Sequence, residues 1–222
     1  MKLHLLSALA LFAAPLIAQT PPQASPTDAA VARELPPSSP PAAPAPKPAT
    51  VKVVLTTSEG AIVLELEKGR APITTANFLK YVDAKRFDGI GFYRAVKVQP
   101  GFGLIQAGLR NDPKKIFPSI AHEPTTKTGV HHVDGAISMA RAAPGSASAD
   151  FFIMVGASPQ MDADPSQPGD NLGFAAFGRV IEGMDLVRKI MDEPTSATGG
   201  PATMKGQMLV APVKILTARR SG

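Results

Sequence analysis

The sequence predicts a mainly β fold, a closed or nearly closed antiparallel barrel accompanied by two α-helices. Three observations lead there. Short apolar runs recur from Val51 to the end of the chain, separated by Gly, Pro, Asp and Ser. Only two stretches, 72–86 and 182–192, carry helical spacing. Many short strands with only two helices suit an antiparallel sheet closed or nearly closed on itself. No internal repeat is present.

VKVVL and AIVLELE read as strands joined across TTSEG, a hairpin signal. In the second, Ile62, Leu64 and Leu66 alternate with Val63, Glu65 and Glu67, the period of a half-buried strand. PITTANFLKYVDAKR predicts a helix over 72–86, with Pro72 in its first turn and Ile73, Ala76, Leu79, Tyr81 and Val82 as its apolar stripe. FYRAV, LIQAG, GAISMA, FFIMVG and FAAFGRVI follow as short strands. EGMDLVRKIMD predicts the second helix, with Met184, Val187, Ile190 and Met191 on one side, and APVKILTA closes the chain as a strand.

Before Val51 the composition differs. MKLHLLSALALFAAPLIA places Lys2 ahead of a short apolar run and ends in small residues, the layout of a secretory signal peptide over residues 1–18. The run is short of the roughly 20 residues that a spanning helix needs. Cleavage after Ala18 is expected, with an uncleaved anchor as the alternative. Residues 19–50 are dominated by Pro, Ala and Ser, which cannot bury enough apolar surface to offset their ordering entropy, and predict an extended spacer. The domain spans 51–222.

Composition excludes several classes of function. Of 222 residues none is Cys, so there is no disulfide framework, thiol catalysis or Cys-based zinc site. The net charge of +5 is spread without a long basic run, and with no Trp and two Tyr a nucleic-acid partner is not expected. His131–His132 lie in a turn-like stretch, His122 and Glu123 are the only nearby additional ligands, and Asp162, Asp164 and Asp170 do not have EF-hand spacing; no metal site is predicted. The absence of a GxSxG motif argues against a Ser/His/Asp hydrolase.

One stretch stands out. GFYRAVKVQPGFGLIQAG carries a guanidinium, Arg94, and an amide, Gln106, between apolar side chains. Four blocks, TTANFLKYV, this stretch, GAISMARAAPGSASADFFIMVG and FGRVIEGMDLVRKI, resemble in order and spacing the motifs of cyclophilin-type peptidyl-prolyl cis–trans isomerases over residues 51–219. The resemblance implies an eight-stranded antiparallel closed barrel capped by two α-helices, with its site on the outer surface. It implies Arg94 as the catalytic residue, Gln106 beside it, Phe102 and Leu104 as walls of a proline pocket and Phe152 as its floor. Ala140 and Arg141 match the pair that binds substrate backbone. GFGLIQ has one residue more between Phe and Gln than the common family pattern, so a bulge shifts either Phe102 or Leu104. Asp150 stands where the family usually has glutamine, and Phe174 where many members have a rim histidine. Phe174 and the absence of tryptophan in 160–173 resemble the bacterial exported branch and imply weak cyclosporin binding.

The chemistry suits these residue types. X–Pro rotation faces an amide-resonance barrier of roughly 18–20 kcal/mol. In the twisted transition state the prolyl nitrogen gains a lone pair, to which a positioned guanidinium can donate, while an apolar pocket holds the ring and excludes water. No nucleophile, metal or cofactor is required. The expectation is a monomeric isomerase acting on proline-containing unfolded chains in the periplasm or outside the cell, without stable membrane association once the signal is removed. Asp150 is expected to retune activity, either by drawing Arg94 away from substrate or by turning outward to pair with Arg141 or a substrate lysine. The alternatives are a proline-binding chaperone or scaffold with little catalysis, and a β-barrel ligand carrier, which requires a deep apolar lumen.

Overall fold

The computed structural model describes residues 49–221. The expected signal peptide and the spacer up to residue 48 lie outside the described residues. The strands are β1 (Val51–Thr57), β2 (Gly60–Leu66), β3 (Gly91–Gln99), β4 (Phe102–Ala107), β5 (Ala136–Met139), β6 (Phe151–Val155), β7 (Ala175–Glu182), β8 (Thr195–Ser196) and β9 (Met208–Ser221). The helices are α1 (Pro72–Asp83), the single turn α2 (Thr125–Thr128) and α3 (Met184–Asp192).

All pairings are antiparallel and run β1-β2-β7-β5-β6-β4-β3-β9, with β9 returning to β1, so eight strands close on themselves. The two-residue β8 is appended to β9. The interior is filled rather than hollow. Val53, Leu55, Ile62, Leu64, Phe92, Ile105, Phe151 and Ile215 are fully buried in one continuous cluster, which leaves no lumen for the ligand-carrier reading.

Helix α1 ends at Asp83, before the expected 86, and Lys85 follows in a left-handed conformation with φ 56°. Its buried face is also rotated from the expected stripe: Ile73 and Ala76 are exposed, while Thr74, Thr75, Phe78, Leu79 and Val82 are inside. The reason is aromatic packing, since the Phe78 ring lies 5.0 Å from Phe87, 5.2 Å from Phe151 and 5.4 Å from Phe177. Ala71 offers no capping side chain, and the buried Glu123 carboxylate takes that place, accepting from Ile73 N–H, Thr74 N–H and Thr74 Oγ1. Helix α3 buries Val187, Ile190 and Met191 as its spacing predicts.

Two irregularities in β3 decide what faces outward. Phe92 pairs with Ala107 and Arg94 with Gln106, so Tyr93 is an extra residue in a bulge. Phe92 and Tyr93 are therefore both buried although adjacent, and Arg94 emerges opposite Gln106. Further along, Lys97 pairs with Gly103 and Gln99 with Phe102, which leaves Val98 unpaired near the hairpin end.

Candidate active site

A cleft of about 1210 Å³ runs over the outer face of β3, β4 and β6. Its apolar part is built by Leu104, Phe152, Met161 and Phe174. Phe152 lies edge-on to Phe174, with centroids 5.5 Å apart and planes at 86°. Strand alternation sends Phe151 into the barrel core and Phe152 to the cleft.

Arg94 borders this apolar part, half-buried. Its Nη1 donates to Gln106 Oε1 at 2.7 Å, and its Nε and Nη2 both donate to Gln207 Oε1 at 2.8 and 2.6 Å. A guanidinium has five N–H donors; one on Nη1 and one on Nη2 remain for a ligand. Burial lowers the Arg94 pKa from its ordinary value, partly opposed by Tyr93, and the group keeps its charge because arginine does not deprotonate in proteins.

Gln106 is held in turn. Its Nε2 donates to Tyr93 Oη at 2.6 Å, and the Tyr93 hydroxyl donates to Asp150 Oδ1 at 2.9 Å. Each donor has one acceptor in this line, so the Asp150 carboxylate fixes the phenol, the phenol fixes the amide, and the amide presents its oxygen to Arg94. Burial, with the adjoining Asp150 carboxylate and the bond to it, pushes the Tyr93 phenol far above its ordinary value, so it keeps its proton. Burial raises the Asp150 pKa, against the lowering effect of the Tyr93 bond and of N–H donors from Arg110 and Asn111 at 3.1 and 3.2 Å. Gly108, with φ 144°, permits this close approach: a Cβ there would lie 2.4 Å from Asp150 Oδ1.

The structure separates the expected site residues into three groups. Arg94, Leu104, Gln106, Ala140, Arg141, Asp150, Phe152 and Phe174 all line the cleft. Phe102 does not. It shares a strand face with Leu104 and Gln106 but lies beyond the pocket, its ring packed on Gly156, where a Cβ would meet it at 2.6 Å. The extra residue in GFGLIQ therefore displaces Phe102 and leaves Leu104 at the wall.

Arg141 and Asp150 line the cleft in roles other than those expected. All five N–H groups of Arg141 are committed: Nε and Nη2 to Gly173 O, Nη1 to Ala142 O and Asp170, and Nη2 also to Asp170. Its guanidinium, 5.1 Å from the Phe174 ring centroid, holds the 170–174 segment and has no donor left for substrate. Asp150 neither faces Arg94 directly nor turns outward to Arg141; it closes the far end of the hydrogen-bonded line.

Sequence reasoning missed Tyr93 as more than an aromatic neighbour, and it missed Gln207 and Met161. Gln207 reaches Arg94 across 113 residues of chain, a distance no local pattern signals. It also missed a buried Ser–His–Asp line, for which there was no motif: His132 Nδ1 faces Asp162 Oδ1 at 2.6 Å and Nε2 faces Ser138 Oγ at 2.9 Å. The carboxylate places the imidazole proton on Nδ1, so Nε2 accepts from Ser138. Ser138 is fully enclosed, so it is not open to a substrate; the line instead supports Phe152, on which His132 stacks at 6.0 Å with planes 15° apart. The other residues considered as metal ligands are spent elsewhere, Glu123 on α1, Asp164 on Ser166 and Asp170 on Arg141.

A packed barrel with an external cleft, an apolar pocket and one partly unspent guanidinium defines a class of protein that handles a peptide on its surface. Comparison with known proteins gives the family. Residues 52–219 match the family model described as cyclophilin type peptidyl-prolyl cis-trans isomerase/CLD. A peptidyl-prolyl cis-trans isomerase of Acinetobacter baylyi is 32% identical over 172 residues, covering 77% of this chain and 86% of that protein. Peptidyl-prolyl cis-trans isomerase A of Dickeya dadantii is 33% identical over 148 residues, 66% of this chain and 74% of that one. The fold matches a Cryptosporidium parvum cyclophilin type peptidyl-prolyl cis-trans isomerase solved in the presence of the dipeptide Ala-Pro, with a TM-score of 0.61 and 21% identity over 77% of this chain and 99% of that one. The chain belongs to the cyclophilin-type family and is a peptidyl-prolyl cis–trans isomerase.

Proposed function

We propose that the domain accelerates X–Pro rotation in exported proteins as they fold, with Arg94 donating to the prolyl nitrogen as it becomes pyramidal. The observation that carries this reading is the pair of unspent Arg94 N–H groups at the edge of the pocket formed by Leu104, Phe152, Met161 and Phe174. The proline ring sits against those side chains. Gln106 and Gln207 hold the guanidinium from two sides, so little reorganisation is needed when the nitrogen lone pair develops. Both are neutral and leave the positive charge for the transition state. The Ala-Pro dipeptide used with the Cryptosporidium parvum relative fits the same substrate class. The reaction is carried by one residue's donors and a shaped pocket.

The export setting rests on residues 1–18, which have signal-peptide layout, and on the Pro/Ala-rich spacer that follows. The domain then works in the periplasm or outside the cell as a monomer on proline-containing unfolded chains.

The test is isomerisation of a short Ala-Pro peptide by wild type and Arg94→Ala, together with fractionation and N-terminal mass of the protein in its host. Loss of about a hundredfold in kcat/KM, or about 2.7 kcal/mol, is expected for Arg94→Ala with the fold intact. Wild-type binding without rate enhancement would instead select the chaperone or scaffold reading. A mature chain in the cytosol that still begins at Met1 would overturn the export setting.

A further inference from the structure

We propose that Arg110 is a specificity determinant that favours X–Pro segments carrying a carboxylate near the proline, through an ion pair with its guanidinium. This deepens the isomerase reading of the cleft and rests on it.

Four charged residues line the cleft: Arg94, Arg110, Arg141 and Asp150. Three already have a place. Arg94 is held by two glutamines at the apolar pocket, Arg141 spends every N–H on the 170–174 segment and Ala142, and Asp150 is 5% exposed beneath Tyr93. Arg110 alone is exposed, and among the described residues it makes no side-chain hydrogen bond and no ion pair. Besides the two Arg94 donors at the proline pocket, a peptide in the cleft thus meets one unpaired cation, Arg110, and no available carboxylate from the protein.

This cation is also held in place. Its Cζ sits 4.6 Å from the centroid of the Tyr93 ring, the same ring whose hydroxyl fixes Gln106. The backbone beneath it is strained, with Arg110 at φ 52° and Asn111 at φ 54°, two successive left-handed residues that are not glycine. Asp150 accounts for that conformation, because Oδ1 accepts Arg110 N–H and Oδ2 accepts Asn111 N–H. An amide at position 150 offers a single acceptor oxygen and would place N–H groups against one of these donors. The carboxylate that departs from the family pattern therefore builds the segment that displays Arg110. The Tyr93 side chain meets Arg110 at its ring and Gln106, which holds Arg94, at its hydroxyl, so the favoured carboxylate lies a few residues from the proline. Each extended residue spans about 3.3 Å.

The experiment uses the full chain and peptides centred on Ala-Pro with Glu, Gln or Lys placed one, two or three residues before or after the proline. kcat/KM and Kd are measured at 20 mM and 200 mM salt, for wild type, Arg110→Gln and Arg110→Lys. At one or more placements wild type should favour Glu over Lys by about threefold to tenfold at low salt, less at high salt. The ratio should collapse in Arg110→Gln and persist in Arg110→Lys. Because the readout is a ratio within each protein, an overall loss of activity does not mimic it. Equal treatment of Glu and Lys at every placement, or an unchanged ratio in Arg110→Gln, overturns the proposal. Failure to accelerate any peptide overturns the isomerase reading instead, and the charge preference is then read from Kd alone.

Discussion

Replacing Tyr93 by Phe tests the hydrogen-bonded line behind Arg94. The ring, its place in the bulge and its stacking under Arg110 are kept; only the hydroxyl goes. That hydroxyl serves two buried partners, accepting from Gln106 Nε2 at 2.6 Å and donating to Asp150 Oδ1 at 2.9 Å. Gln106 and Asp150 are each 5% exposed, so water does not readily replace it. An unsatisfied buried polar group costs about 1–3 kcal/mol, and Asp150 retains two backbone donors, so the combined loss should be about 3 kcal/mol. For a domain of this size that lowers the thermal midpoint by about 6–12 °C. A second effect is specific to the line. Without the phenol nothing fixes which end of the Gln106 amide faces Arg94, and a flipped amide presents N–H to N–H. Gln207 still grips the guanidinium, so the catalytic loss should be partial, about tenfold in kcat/KM or about 1.4 kcal/mol. The assays are calorimetric melting and peptide isomerisation below the new midpoint. A melting point within 2 °C of wild type would refute the packing argument, with the 2 °C threshold set by the smallest shift expected from about 1 kcal/mol. A lowered melting point with unchanged kcat/KM would refute the positioning role and leave the line purely structural.

Two further outcomes follow from the same geometry. Phe102→Ala should leave kcat/KM within about twofold, whereas Leu104→Ala should reduce it about fivefold to thirtyfold, the equivalent of about 1–2 kcal/mol of lost contact with the proline ring; the reverse order in peptide kinetics would return Phe102 to the pocket. His132 should make the domain acid-sensitive. Burial lowers its pKa below the ordinary histidine value, despite the opposing Asp162 bond, so the unfolded chain takes up the proton first. The His132 contribution is therefore present above about pH 6.5 and declines as pH falls from there toward the lowered folded value. Denaturant midpoints between pH 7 and pH 5 should show a slope that His132→Gln reduces, and an unaltered slope in that variant would contradict it.

Much of the frame is legible in the chain. Period-2 runs such as Ile62–Leu64–Leu66 announce strands whatever their neighbours, and Val187, Ile190 and Met191 mark the inner face of α3 by spacing alone. Helix α1 shows the limit: its spacing gives a helix, but Phe78 and the remote Glu123 choose its face and its start. The site divides in the same way. Arg94, Gln106, Leu104 and Phe152 are visible as residue types embedded in motif blocks. Their partners are not, because a hydrogen bond from Arg94 to Gln207 or from Tyr93 to Asp150 joins segments far apart in sequence and exists only once β9 and β6 flank the β3–β4 hairpin. Sequence by itself determined the barrel, the two longer helices and the arginine that lines the cleft, since these follow from local periodicity and local motif. Tertiary structure alone decided that Phe102 leaves the pocket, that Arg141 is spent on its own chain and that Asp150 lies buried behind Tyr93, because bulges and long-range hydrogen bonds set where a side chain ends up.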